Sequence, residues 1–312
     1  MNWRIKASLQ KILAASKLGD QLNHLPVTFN KEYHKNIFLY QTHECLRKFS
    51  YCNLELRVKS TALEIGTGYS ILSSIVLALL GFEKIITVDI TKDLKFSTYE
   101  KQIAFIESPP FLNEIISKSV YDENQIKSMI SSIKEKKSFS ALFEFLNITY
   151  LAPYTFEEIE KHTQSFDYIS SQVVLEHISP DVLNELFQKT KSWLTKDGFC
   201  VHTVNFIDHF ANPGFFQDKS ISEFNFLRYS DKYWSFWASN SIAYTNRLSY
   251  VYYLQLSEKY NLKVIDFIGE NYRKRVELDL NFIHKDVINK YISNPEIEDL
   301  TKFQRGTFII KA

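Results

Sequence analysis

The sequence predicts a doubly wound α/β fold around a mostly parallel sheet of seven strands. Three observations carry that reading. Short apolar runs alternate with segments of helical period along the chain. A glycine turn, Gly66-Thr67-Gly68, joins the first clear run to a helix. An acid, Asp89, closes the second run, 21 residues beyond Gly68. Composition agrees: of 312 residues, 45% are hydrophobic and 23% charged, which supports a packed core rather than disorder.

Residues 1–57 read as an N-terminal helical segment and 58–312 as the main domain. Ile5, Leu9, Ile12 and Leu13 have the spacing of one helix face. Gln10 and Lys11 break the apolar run, so it is not a signal peptide. That face is expected to dock on the protein itself, with a weak membrane-surface contact as the alternative. Residues 61–65 form the first strand, 70–80 a buried helix, and 84–88 the second strand. The Lys-, Ser- and Glu-rich stretch 92–146 reads as a helical insertion broken at Pro109-Pro110. Strands follow at 148–151 and 166–170, then an amphipathic helix over 181–194. Gly198 ends the next loop, and 199–204 is the fifth strand. Residues 205–250, crowded with aromatics and interrupted by Asn212-Pro213-Gly214, read as an irregular cap. A helix over 250–260 and strands at 262–268 and 307–311 complete the order.

Bulk chemistry excludes several roles. A net charge of +1 offers no field to attract nucleic acid. Cys45, Cys52 and Cys200 are odd in number, lie in no C-x-x-C, and sit in no cluster with histidine. They read as reduced thiols of a cytoplasmic protein, and no metal site is predicted. The longest apolar run, 71–80, is about half of what a bilayer span requires.

Gly66 and Gly68 let bare backbone approach a ligand, and the following helix aims its N–H groups at the same place. Asp89 suits a ribose diol. A nicotinamide dinucleotide fits poorly. Its fingerprint needs a third glycine where Ile71 stands, and Glu64 would repel a pyrophosphate. The same negative charge favours a ligand with a cationic end, such as S-adenosylmethionine (SAM).

Four ordered segments resemble the class I SAM-dependent methyltransferases. They are Glu64-Ile65-Gly66-Thr67-Gly68, then Asp89, then Phe166-Asp167-Tyr168-Ile169 with Val174-Leu175-Glu176-His177-Ile178, then Trp193-Leu194-Thr195-Lys196-Asp197-Gly198-Phe199. The resemblance implies a Rossmann-like seven-stranded sheet and SAM as cofactor. It implies that Glu64, Gly66, Thr67, Gly68 and Asp89 bind SAM, with Ser170 and Ser171 along the methionine end. The third strand departs from the pattern: Tyr150-Leu151-Ala152-Pro153-Tyr154 lacks the usual adenine-binding acid.

Asp208-His209-Phe210, Asn225-Phe226-Leu227-Arg228-Tyr229-Ser230 and Asn246-Arg247-Leu248-Ser249-Tyr250 resemble a bacterial subgroup associated with surface-polysaccharide biosynthesis. That implies a sugar or sugar-phosphate hydroxyl as acceptor, with a lipid, a natural product or a noncatalytic SAM-binding subunit as alternatives. A hydroxyl is a weak nucleophile, so a base is expected. His177, just after the fourth strand, is the first candidate, with Asp208 and His209 after the fifth. Arg228, Arg247 and Tyr250 are the candidate acceptor contacts, the arginines because a guanidinium grips phosphate in a bidentate way. The oligomeric state has no signature in the sequence.

Overall fold

The computed structural model describes residues 1–14, 31–52, 55–56, 59–163, 165–211, 217–238, 244–273 and 276–312. The Asn212-Pro213-Gly214 interruption and residues 15–30 lie outside them. Among the described residues the first helices are α1 (Trp3–Ala14) and α2 (Lys31–Ser50). The first crossover is β1 (Thr61–Ile65), α3 (Leu72–Leu79) and β2 (Lys84–Val88). Four helices follow: α4 (Phe96–Ile103), α5 (Pro109–Lys118), α6 (Glu123–Glu135) and α7 (Phe139–Leu146). Next come β3 (Ile148–Leu151), α8 (Phe156–His162), β4 (Phe166–Gln172), α9 (Pro180–Trp193) and β5 (Leu194–Asn205). The chain ends with α10 (Asp231–Ala238), α11 (Tyr250–Lys259), β6 (Lys263–Glu270), α12 (Lys285–Ile288) and β7 (Arg305–Lys311).

The seven strands form one mixed, mostly parallel sheet in the order β3-β2-β1-β4-β5-β7-β6. The order reverses after β1, as a doubly wound sheet requires. Among the described residues no helix is long and apolar enough to cross a membrane. The chain groups into two compact units, one of residues 27–172, 190–202 and 309–312, the other of 1–26, 173–189 and 203–308.

In the first unit, β1 pairs in parallel with β2 on one side and β4 on the other, Ile65 lying opposite both Val88 and Ser171. A central strand covered on both faces has no polar face to show, hence the apolar run of β1. Every residue of α3 is buried, which explains its lack of a polar stripe. The insertion does break at Pro109-Pro110: α4 ends at Ile103, and the two prolines start α5, where a missing N–H costs nothing. Gly198 also differs from expectation, because β5 begins at Leu194 and runs through it. A side chain there would stand 2.8 Å from the Phe166 carbonyl, so only glycine lets the strand continue. All three cysteines are free and buried. Cys200 does meet a histidine: its Sγ lies 2.8 Å from Nε2 of His202, two residues along the same strand.

In the second unit, α1 seats the face opposite to the expected one. Trp3 and Ala7, one turn apart, are buried, while Ile5, Leu9 and Ile12 are 56%, 48% and 69% exposed. The Trp3 ring settles among Phe210, Tyr229, Trp234 and Trp237, and its backbone N–H donates to Asp218 Oδ2 (3.0 Å). One large ring in an aromatic nest outweighs three aliphatic side chains. The aromatic stretch is also less irregular than its composition suggests, since α10 carries two of those rings.

Candidate functional site

The glycine turn is built by backbone. Gly66 and Gly68 have φ of 88° and 58°, the left-handed region that side chains resist. The N–H groups of Gly66 and Thr67 donate to the Val88 carbonyl (2.8 and 3.1 Å), tying the turn to β2. Thr67 and Thr87 share a hydroxyl hydrogen bond of 2.6 Å. Thr67 therefore shapes the turn and does not extend its hydroxyl toward a ligand. The first residue before α3, Ile71, offers no side-chain cap, and Ser70 Oγ approaches only Leu72 N, at 3.5 Å, so most N–H groups of the helix N-terminus have no side-chain acceptor among the described residues.

Asp89 is half-buried at the end of β2. Its Oδ2 accepts from Gly68 N (2.7 Å) and its Oδ1 from Thr91 N (3.1 Å). Each carboxylate oxygen has a second lone pair, so the group can still accept two more bonds, as a diol would supply. Tyr150 and Tyr154 feel the Asp89 charge, which helps raise both phenol pKa values after burial has done most of it. Both rings therefore lie near the Asp89 carboxylate. Tyr154 is a residue that reading the third strand for an acid does not find.

Two residues assigned to the cofactor are engaged within the protein. Glu64 is buried, and Ser74 Oγ donates to its Oε2 (2.8 Å). Burial raises its pKa, opposed by Ser74 and by the charge of Lys48. It fastens β1 to α3 instead of presenting an open charge to a cationic ligand. The Ser171 carbonyl accepts from Lys48 Nζ (2.9 Å), and its hydroxyl meets His202 Nδ1 (2.8 Å). Ser170 is likewise buried.

The second constellation lies in the other unit. A single 3-10 turn, Leu175–His177, follows β4. Val173, which enters it, has φ of 55°, an outlier for a β-branched residue, and its N–H donates to the Thr203 carbonyl (2.8 Å). Asn246 clamps the turn: its N–H donates to the Glu176 carbonyl (2.8 Å), and its Nδ2 to the carbonyls of Leu175 (2.8 Å) and Ile178 (3.0 Å). His177 Nδ1 lies 2.8 Å from the Tyr244 carbonyl, which can only accept. The proton is therefore on Nδ1, and Nε2 carries the lone pair. Burial of the ring lowers the His177 pKa, although part of the residue reaches solvent.

The His209 ring centroid is 5.1 Å from that of His177, and burial pushes its pKa down to about 3. Glu176 completes the group. It is 3% exposed, no side chain among the described residues donates to its oxygens, and burial raises its pKa to about 8 against the easing effect of the Glu176 and Asn205 backbone N–H groups. Ligand atoms of Glu176, His177 and His209 lie within 4.8 Å of one another. Glu176 and Asn246 are the members that sequence reasoning missed. The available signal was a charged residue between Leu175 and His177 in an otherwise apolar run.

Asp208 does not orient or charge His209. Its Oδ1 accepts from Phe210 N (2.8 Å) and its Oδ2 from Asn225 Nδ2 (3.4 Å), and burial raises its pKa to about 7. It secures the loop that carries the ring. Arg247 is not an acceptor contact either. Its guanidinium is fully buried, donating to the carbonyls of Phe226 (2.9 Å) and Tyr229 (2.6 Å) and to Asp231. Tyr250 donates to Asp299 (2.7 Å) and stacks on Phe267, so it too is structural. Arg228 is exposed, with its guanidinium 4.9 Å above the Phe282 ring, and stays accessible.

A family model described as a methyltransferase domain matches residues 37–266. No curated protein sequence matches the chain. Solved structures do. A sarcosine dimethylglycine methyltransferase from Galdieria sulphuraria, so described provisionally, is 16% identical, with 87% of this chain and 85% of that one covered and a TM-score of 0.44. A cyclopropane-fatty-acyl-phospholipid synthase-like protein from Lactobacillus casei is 12% identical, with coverage of 89% and 92% and a TM-score of 0.46. A SAM-dependent methyltransferase from Mesorhizobium loti is 10% identical, with coverage of 85% and 98% and a TM-score of 0.40. With its family model spanning most of its length, the chain belongs to the methyltransferase-domain family and is a SAM-dependent methyltransferase.

Proposed function

We propose that this methyltransferase acts on a hydroxyl of a small polar acceptor, a sugar or sugar phosphate. The observation that carries the reading is the polar group in the second unit, Glu176, His177 and His209, with Arg273 within electrostatic reach of His209. Arg273 has a buried Nη1 with no hydrogen-bond partner among the described residues. An unpartnered guanidinium N–H is suited to a phosphate oxygen. A lipid tail would find little apolar surface in such a group.

SAM, when bound, supplies an electrophilic methyl on a positively charged sulfur. The residues of the glycine turn fit it. Asp89 would hold the ribose with its two remaining lone-pair sites. Gly66 and Gly68 keep the approach free of side chains, a Cβ on Gly68 having nothing within 4 Å. The uncapped start of α3 suits the methionine carboxylate. Tyr150 and Tyr154 would pack on the adenine, in place of the absent acid.

For the acceptor, His177 offers Nε2 to the hydroxyl, its tautomer held by Tyr244. The resemblance of the segments around Asp208, Asn225 and Asn246 to polysaccharide-associated methyltransferases supports a carbohydrate. The reading is tested by incubating the full chain with SAM and a panel of nucleotide sugars, sugar phosphates and lipid extracts, with mass spectrometry of the products. Addition of one methyl to a sugar is expected. Methylation confined to the lipid fraction would replace the carbohydrate by the lipid reading.

A further inference from the structure

Three potential ligands from two distant segments converge in the second unit. Glu176 and His177 come from the turn after β4, and His209 from the loop after β5. Their ligand atoms lie within 4.8 Å of one another. Glu176 is buried, and no side chain among the described residues donates to its oxygens; only the backbone N–H groups of Glu176 and Asn205 ease its charge. A buried carboxylate so weakly compensated is costly to keep charged, and a cation beside it would offset that cost. His177 already gives its Nδ1 proton to a carbonyl, so its Nε2 is free to coordinate. The same carbonyl is the second support that metal-bound imidazoles usually have. No ring nitrogen of His209 has a hydrogen bond among the described residues. The spacing forms no recognisable metal-binding motif, because two ligands are adjacent and the third is 32 positions away from His177.

We propose that Glu176, His177 and His209 bind a divalent transition-metal cation, leaving open positions where the acceptor hydroxyl coordinates. The inference deepens the proposed function and rests on it only for the role of the hydroxyl. Two imidazoles and one carboxylate favour Mn²⁺, Fe²⁺, Co²⁺ or Zn²⁺ over the all-oxygen sites of Mg²⁺ and Ca²⁺. Bonds of about 2.1 Å need the three ligand atoms to draw closer than they stand here, which requires side-chain rotation of the histidines as well as of Glu176. With the cation bound, the His177 Nε2 lone pair is a ligand and no longer meets the hydroxyl; the cation takes over that role, stabilising the oxygen anion as its proton leaves to solvent. Lys6, Arg273 and Asp208 are the other charged groups around His209. Lys6 lies within reach of Asp208, which offsets its charge.

The test uses the full chain stripped with a chelator and then titrated calorimetrically with Mn²⁺ and, separately, Zn²⁺. One cation per chain is expected, with a rise in Tm on binding. Glu176→Gln keeps the shape and removes the charge. It should weaken cation binding roughly 100-fold or more, leave SAM binding unchanged, and keep the metal-free Tm at or above that of the wild type. His209→Ala should lose binding similarly. Absence of stoichiometric binding, or equal binding by Glu176→Gln and His209→Ala, overturns the site. Sugar methylation that survives complete chelation also overturns it while the proposed function stands. Stoichiometric binding without any sugar methylation supports the site and removes the proposed acceptor.

Discussion

The glycine turn and the Glu176–His177–His209 group are assembled in opposite ways. The turn is local: Gly66 and Thr67 donate to the Val88 carbonyl, and Gly68 donates to the carboxylate of Asp89, one residue further on. Its chemistry is largely backbone, so what matters is the absence of side chains. The histidine group gathers residues around 177, 209 and 244–246, and its chemistry is all side chain. The difference teaches where each can fail. A local backbone site fails by a change of one residue within it. A gathered site fails when any of its distant supports moves.

Asp89→Ala is the largest expected break. Losing two charge-assisted hydrogen bonds should cost about 3 kcal/mol, or roughly two orders of magnitude in SAM affinity by calorimetry, with the cation response intact. Arg247→Ala should cost about 2–3 kcal/mol of stability in urea unfolding, because the Phe226 and Tyr229 carbonyls lose their donor. A raised acceptor KM at unchanged stability would restore Arg247 to the acceptor. His202 sharpens the comparison through pH. Burial lowers its pKa to about 3, so the unfolded chain takes up a proton below about 6.5 that the native one refuses. Stability should therefore fall by about 2 kcal/mol between pH 6.5 and 5, and less in His202→Gln.

Asn246→Ala should cost about 1–2 kcal/mol and lower turnover roughly tenfold, with SAM affinity unchanged. Unaltered turnover would mean that the 3-10 turn holds itself. Arg228→Ala should change stability by less than about 0.5 kcal/mol, since the side chain is exposed. A raised KM for a phosphorylated acceptor, against an unphosphorylated one, would identify it as a phosphate contact.

Legibility follows the same division. The strand order, the glycine turn and Asp89 could be read because periodicity and glycine are local signals. The same local reading misplaced α1, since Ile5, Leu9 and Ile12 look like a buried face until Trp3 finds its aromatic nest. It also took Arg247 and Tyr250 for acceptor contacts. Nothing in residue type distinguishes a guanidinium facing a ligand from one fastened to two carbonyls.

An α/β sheet, a SAM-dependent methyltransferase and a glycine turn between strand and helix were legible in the sequence. These depend on residues within about one crossover of each other, so short-range steric and hydrogen-bonding rules fix them. Tertiary structure alone decided that Glu64 is fastened to Ser74, that Arg247 is internal, and that Glu176 meets two histidines. Burial and partnership belong to packing between distant segments, and they settle which polar groups remain free to act.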